Sequence, residues 1–135
     1  MIFLTGATGL VGSQIAKRLL EANYQVRALK RKNSDFLLIK DVSHQIEWVE
    51  GDILDVLFLD DCVKGVDVII HAAALVSFSK KRETQMMRIN VEGTANLVNV
   101  ALKHKTTRFC HISSVAALGR GKSEIIDEIV KIKYL

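Results

Sequence analysis

Phe3-Leu4-Thr5-Gly6-Ala7-Thr8-Gly9-Leu10-Val11-Gly12, at the start of a 135-residue chain, decides how the rest is read. The apolar run Ile2 to Leu4 is strand-like. Glycines follow at 6, 9 and 12, and Val11, Ile15, Ala16, Leu19 and Leu20 then recur at helical spacing. Strand, tight turn and helix in this order bring unpaired backbone N–H groups to the carboxyl end of a strand. A phosphate reaches those groups only where no side chain intervenes, and glycine leaves that space. Gly6 then makes the turn, Gly9 admits the pyrophosphate of a dinucleotide, and Gly12 lets the helix lie close on the sheet. Glycines that only form a strand-to-helix turn are the alternative, and the context favours the nucleotide.

With 135 residues, 49% of them hydrophobic, the chain is expected to form one domain with a substantial core over residues 1–135. There is no proline, no low-complexity tract and no internal repeat, so nothing marks an internal boundary. No apolar run approaches the roughly 18 residues that a bilayer span needs, and no signal-type segment precedes the first strand, so a cytoplasmic protein without membrane contact is expected. Cys62 and Cys110 both lie in apolar stretches and read as buried thiols. His44, His71, His104 and His111 lack metal-ligand spacing, and no metal is expected. The net charge of +4 gathers in Lys30-Arg31-Lys32 and Lys80-Lys81-Arg82, but neither run carries interleaved aromatics or a nucleic-acid-binding motif. Solvated faces are the default there, with an exception at Lys30 and Arg31 taken up below, and nucleic acid is not expected as a partner.

Along the chain, Asn23 is placed as a left-handed helix cap and Gln25 to Leu29 as a second strand. Lys30 and Arg31 stand where an acidic residue would accept hydrogen bonds from the adenosine ribose of NAD. A guanidinium pairs bidentately with a 2′-phosphate, so these residues argue for NADP, while Asp35 keeps NAD possible. Ser34 to Val42 reads as a short helix and Ile46 to Glu50 as a third strand. In Gly51-Asp52-Ile53 the carboxylate is placed to accept from the adenine amino group and Ile53 to cover the ring. Alternatively, Asp52 or Asp55 only caps a helix from Val56 to Lys64, which Gly65 ends.

Asp67 to His71 reads as a central strand, buried on both faces, leading into Ala72-Ala73-Ala74, where small side chains let a ligand approach the backbone. A long helix is predicted from Lys80 to Lys103, with Met86 or Met87, Ile89, Leu97, Val98, Ala101 and Leu102 as its apolar face. Asn90 and Gly93 interrupt it, which implies a turn that faces a ligand or packs tightly. A fifth strand, Thr107 to Ile112, ends at Ser113-Ser114, whose hydroxyls point into the ligand crevice.

Taken together, Thr5-Gly6-x-x-Gly9-x-x-Gly12, Gly51-Asp52-Ile53, His71-Ala72-Ala73-Ala74, Asn90-Val91-x-Gly93-Thr94 and Ser113-Ser114-x-Ala116-x-x-Gly119 resemble the extended short-chain dehydrogenase/reductase family. That family includes NAD(P)-dependent epimerases and dehydratases and dihydroflavonol-reductase-like enzymes. The resemblance covers Thr5 to Gly119 with its motifs in order. It implies a Rossmann-type, doubly wound parallel sheet, strand order 3-2-1-4-5, with the last strands and the substrate domain missing. It also implies cofactor contacts at Thr5, Thr8, Leu10 and Val11 beside the three glycines. Further contacts are implied at Lys30, Arg31, Asp52 and Ile53, at His71 and the alanines, and at Asn90, Ile112 and Ser113. Ser114 matches the family's catalytic serine.

One departure matters. The family places Tyr-x-x-x-Lys after this serine, the lysine lowering the pKa of a tyrosine that relays a proton as hydride moves. No such pair follows Ser114: the residue four before Lys133 is Ile129, and Tyr134 is followed by Leu135 alone. The chain is therefore expected to be a truncated or separately made cofactor half. It would belong to an oxidoreductase or epimerase acting at a hydroxyl or carbonyl of an unidentified small molecule, without turnover by this chain alone. It is also expected to pair with itself through exposed surfaces. A non-catalytic NADP-binding regulator or sensor is the alternative.

Overall fold

A computed structural model describes residues 1–118, with the side chain of Leu118 excepted. Five parallel strands form one sheet in the order β3-β2-β1-β4-β5. They are β1 (Ile2–Thr5), β2 (Val26–Lys30), β3 (Glu47–Glu50), β4 (Val68–His71) and β5 (Arg108–His111). The connections carry α1 (Leu10–Glu21), α2 (Val56–Cys62), and the pair α3 (Glu83–Met87) and α4 (Gly93–Lys103). The order anticipated from the sequence is thus the order found.

β1 is the middle strand, and all four of its residues are buried. Successive side chains of a strand point to opposite faces, and β1 accordingly feeds two cores. Phe3 packs with Ile69, Leu59, Val63, Leu97, Val100 and Ala101 beneath α2 and α4. Leu4 packs with Ala16, Val26, Ala28, Ile39 and Ile46 beneath α1 and the segment before β3. α1 ends at Asn23, whose φ of 62° is the anticipated left-handed cap. α2 begins at Asp55, whose carboxylate accepts from the Phe58 N–H at 3.0 Å.

Four expectations need correction. Residues 34–42 form no helix: the Asp35 carboxylate accepts from the Leu37 N–H, and Ile39 and Val42 donate to carbonyls three residues back, giving successive turns. β4 is internal but not central, and only Ile69 and His71 along it are buried. The predicted long helix is interrupted by a π-helical turn over Arg88–Glu92, and Leu102 is 72% exposed rather than part of its buried face. Cys62 is buried as expected, and burial pushes its thiol up to about 11, but Cys110, on the outermost described strand, is exposed. No helix among the described residues is long and apolar enough to cross a membrane.

α1 lies close to the sheet because residue 12 has no side chain. A Cβ there would overlap the Gly6 carbonyl oxygen and lie 2.6 Å from its carbon, both backbone atoms that cannot rotate away. Gly12→Ala is therefore expected to cost more than about 2 kcal/mol of stability, as overpacking against fixed backbone does. Gly65→Ala is the contrast: nothing lies within 4 Å of the added methyl, and only the φ of +72° opposes it. Chemical denaturation of both variants checks this, and a Gly12→Ala loss no larger than that of Gly65→Ala would count against it.

Candidate functional site

A cleft of about 320 Å³ opens at the carboxyl ends of the strands, a volume within the range of small-molecule sites. One wall is the turn after β1, with Gly6, Thr8 and Gly9. Here Gly6 has φ +77°, and its N–H partner across the turn is Gly9, which donates to the Gly6 carbonyl at 2.9 Å. α1 starts directly from this turn with no side chain capping it and no acidic residue in its first turn. Its leading N–H groups and the positive end of its dipole are thus left for an anion. The adjacent wall holds Lys30 at the end of β2, Arg31 and Ser34 after it, and Asp52 and Ile53 after β3, and the far wall is formed by Ala72, Ala73, Ala74 and Leu75 after β4. Gln85 and Ile89 close the cleft from the α3 side.

These walls are held by a buried chain of hydrogen bonds centred on His71, which is only 1% exposed. Nδ1 of its ring is 2.6 Å from Thr5 Oγ1, and Nε2 is 2.9 Å from Thr94 Oγ1. The Thr94 hydroxyl donates to the Asn90 carbonyl at 2.6 Å, so it accepts from a protonated Nε2. Nδ1 is then the acceptor for the Thr5 hydroxyl, whose oxygen in turn accepts from the Ala73 N–H at 3.2 Å. Asn90 completes the chain by donating to the Leu75 carbonyl at 2.9 Å and accepting from the Leu75 N–H at 2.8 Å. A neutral imidazole satisfies every partner. Burial, with the His111 ring beside it, pushes the His71 pKa down to about 4.

Of the residues singled out in the sequence, Gly6, Thr8, Gly9, Lys30, Arg31, Asp52, Ile53 and the three alanines are brought together around the cleft. Thr5, His71 and Asn90 lie behind it as its supports rather than along its lining. Gly12 lies beneath the turn, and Leu10 and Val11 have exposed side chains outside the cleft. Ile112, Ser113 and Ser114 follow β5, away from the lining. The Ile112 N–H extends the β4 pairing through the His71 carbonyl, and Ser114 Oγ accepts from the Ala116 N–H in a short turn. Gly119 and the segment to Leu135 lie outside the described residues.

Two glycines acquire reasons that spacing alone does not give. A Cβ on Gly51 would run into the Phe58 ring, and one on Gly93 would lie 2.7 Å from Ile53 Cγ2. Gly93 therefore lets the helix press on the side chain that lines the cleft. The lining residues Leu29, Ser34, Leu75, Gln85 and Ile89 were missed in the sequence. They belong to no motif, although Leu29 and Leu75 flank two that were recognised.

The NAD dependent epimerase/dehydratase family model matches residues 2–133. The chain belongs to that family. It is 39% identical over 93% of its length to a Synechocystis sp. protein provisionally named dihydroflavonol 4-reductase, covering 36% of that protein. It is 33% identical over 86% of its length to sterol demethylase protein B of Methylococcus capsulatus, covering 35% of it. Among solved structures it resembles a dTDP-glucose 4,6-dehydratase from Streptomyces venezuelae, determined with NAD and TYD bound. There the TM-score is 0.84 at 26% identity, over 98% of this chain and 45% of that one. The chain thus spans little more than a third of the length of these curated relatives. As a family member it carries the NAD-binding portion of the extended short-chain dehydrogenase/reductase architecture.

The buried histidine of this epimerase-family domain makes its stability depend on pH. The folded pKa of about 4 lies below the unfolded value near 6.5, so between these pH values the unfolded chain binds the extra proton. Stability is full above about pH 6.5 and falls as pH drops toward 4, by on the order of 2–3 kcal/mol. Asp41, Asp60 and Asp67, held below the ordinary carboxylate range by Lys17, by Lys103 with His104, and by the chain's amino terminus, act only at lower pH. Urea denaturation at pH 7.5 and pH 5 should show this loss in the wild type and little of it in His71→Asn. Equal pH slopes in the two proteins would rule it out.

Proposed function

We propose that this chain is the NADP-preferring cofactor portion of an oxidoreductase or epimerase that moves hydride at a hydroxyl or carbonyl of a small molecule. The observation that carries the reading is the cleft itself. In one place it combines an uncapped helix start behind glycines, a carboxylate beside an apolar side chain, and an arginine at the end of β2. The first suits a pyrophosphate, the second an adenine, and the third a 2′-phosphate.

The fit rests on space as well as charge. The Cβ that Gly9 lacks would meet only the Gly6 carbonyl oxygen, at 3.3 Å, so the mouth of the turn is open on the side where an anion approaches. Asp52 already uses one carboxylate oxygen to accept from the Leu54 N–H at 2.9 Å, which fixes its orientation and leaves lone pairs for an amino group. Ile53 packs against Gly93 beside Asp52, where it can cover a ring. The nicotinamide cofactor supplies the hydride chemistry when bound. By its match to the family serine, Ser114, which follows β5, is the residue assigned to hydrogen-bond a substrate oxygen. The hydroxyl or carbonyl substrate agrees with the reductase and dehydratase names of the similar proteins.

Fluorescence titration of the 135-residue chain with NADPH and with NADH tests the proposal. NADPH is expected to bind more tightly, and Arg31→Ala to weaken NADPH about ten-fold, the equivalent of about 1.4 kcal/mol, with little effect on NADH. Equal affinities, tighter NADH, or no binding of either nucleotide would overturn it.

A further inference from the structure

Lys30 and Arg31 are adjacent in sequence, yet the structure gives their charges different environments. Lys30 ends β2 directly opposite Glu50, which ends β3, and the two side chains form an ion pair. Lys30 lines the cleft, whereas Glu50 does not. The carboxylate therefore neutralises this ammonium from outside the set of lining residues. Arg31 is exposed at the cleft, and its segment is closed by a reciprocal pair. The Arg31 N–H donates to Ser34 Oγ at 3.0 Å, and the Ser34 N–H donates to the Arg31 carbonyl at 3.0 Å. Ser34 Oγ, used there as an acceptor, keeps its own proton to donate, and it too lines the cleft.

We infer that Glu50 is a specificity-determining residue: by pairing with Lys30 it withholds one positive charge from a 2′-phosphate and so limits how strongly the cleft prefers a phosphorylated adenosine. This rests on the 2′-phosphate reading of Arg31 given above. A contact pair of opposite charges presents only a small residual field a few ångströms away, while an ammonium freed of its partner attracts an anion over a Debye length. Glu50 lies half-exposed at a strand end, outside the cores, so its charge can be removed without disturbing the packing. The cleft thus carries a discrimination weaker than its two adjacent cations would give if both were free.

The test measures binding of adenosine 2′,5′-bisphosphate and adenosine 5′-monophosphate to the full chain by calorimetry, with circular dichroism confirming that each variant is folded. The ratio of the two affinities is the readout. In Glu50→Gln the amide keeps an acceptor for Lys30 but loses the charge, and the ratio should rise roughly five- to ten-fold at low salt and shrink as salt is added. Glu50→Ala should raise it as well. Lys30→Met leaves Glu50 unopposed and should lower the ratio, and the double variant should return it close to the wild-type value.

An unchanged ratio in Glu50→Gln and Glu50→Ala, or an equal gain for both nucleotides, would overturn the inference. Arg31→Ala separates the two levels. If it collapses the ratio while the Glu50 variants do nothing, the 2′-phosphate reading stands and only the role of Glu50 falls. If Arg31→Ala leaves the ratio unchanged, or neither nucleotide binds, both fall.

Discussion

The contact between the backbone at Gly12 and the carbonyl of Gly6 is the constraint on which the rest of this domain depends. Because residue 12 has no side chain, the first turn of α1 comes down onto the end of β1 and its axis is aimed at the carboxyl edge of the sheet. Gly6 is confined in turn by the end of β4: a Cβ on it would lie 2.6 Å from the Ala72 carbonyl carbon, and its φ of +77° already requires glycine. The turn after β1, the start of α1 and the sequence-remote end of β4 are therefore locked at one point by backbone alone. The cleft is the space left just outside that point, which is where parallel sheets of this connectivity bind ligands.

A second layer of constraint comes from polar groups that see no ligand. The chain from Ala73 through Thr5, His71 and Thr94 to Asn90 and Leu75 joins the strand ends, the alanine loop and the π-helical turn. Each member is satisfied, and in a low-dielectric interior a satisfied network is rigid while a half-satisfied one is costly. The π-helical turn belongs to the same arrangement. It places Asn90 where both its amide groups meet the backbone of Leu75, at a step where the next residues must also keep Gly93 against Ile53. The wall from Ala72 to Leu75 is thus held by Thr5, His71, Thr94 and Asn90, which do not line the cleft themselves.

This division explains what could be read from the sequence. The β1 turn and the Asp52-Ile53 corner are local patterns in which spacing and geometry are nearly the same thing, whereas the strand order came from the family resemblance. Asn23 was legible because its left-handed conformation is set by its own short polar side chain. The supporting role of His71 was not legible, since its partners lie 66 and 23 residues away in sequence and only folding brings them together. Residues 34–42 misled because their apolar spacing suits a helix, whereas Asp35 captures the Leu37 N–H and tips the segment into turns. Cys110 misled because an apolar neighbourhood in sequence says nothing about whether a strand is covered.

The turn proposed to bind phosphate and the end of β2 proposed to discriminate between nucleotides are physically separate. The start of α1 offers N–H groups and a dipole with no charged side chain in its first turn, so its attraction for a pyrophosphate is the same whichever nucleotide carries it. On the proposed reading, choice between nucleotides then falls to Lys30, Arg31, Ser34 and Glu50, at strand ends and in a turn outside both cores. Ion pairs at such positions contribute little to folding, because water solvates the partners almost as well as they solvate each other. Selectivity at this edge can therefore change by single charges while the constraint at Gly6 and Gly12, and the fold that depends on it, stays as it is.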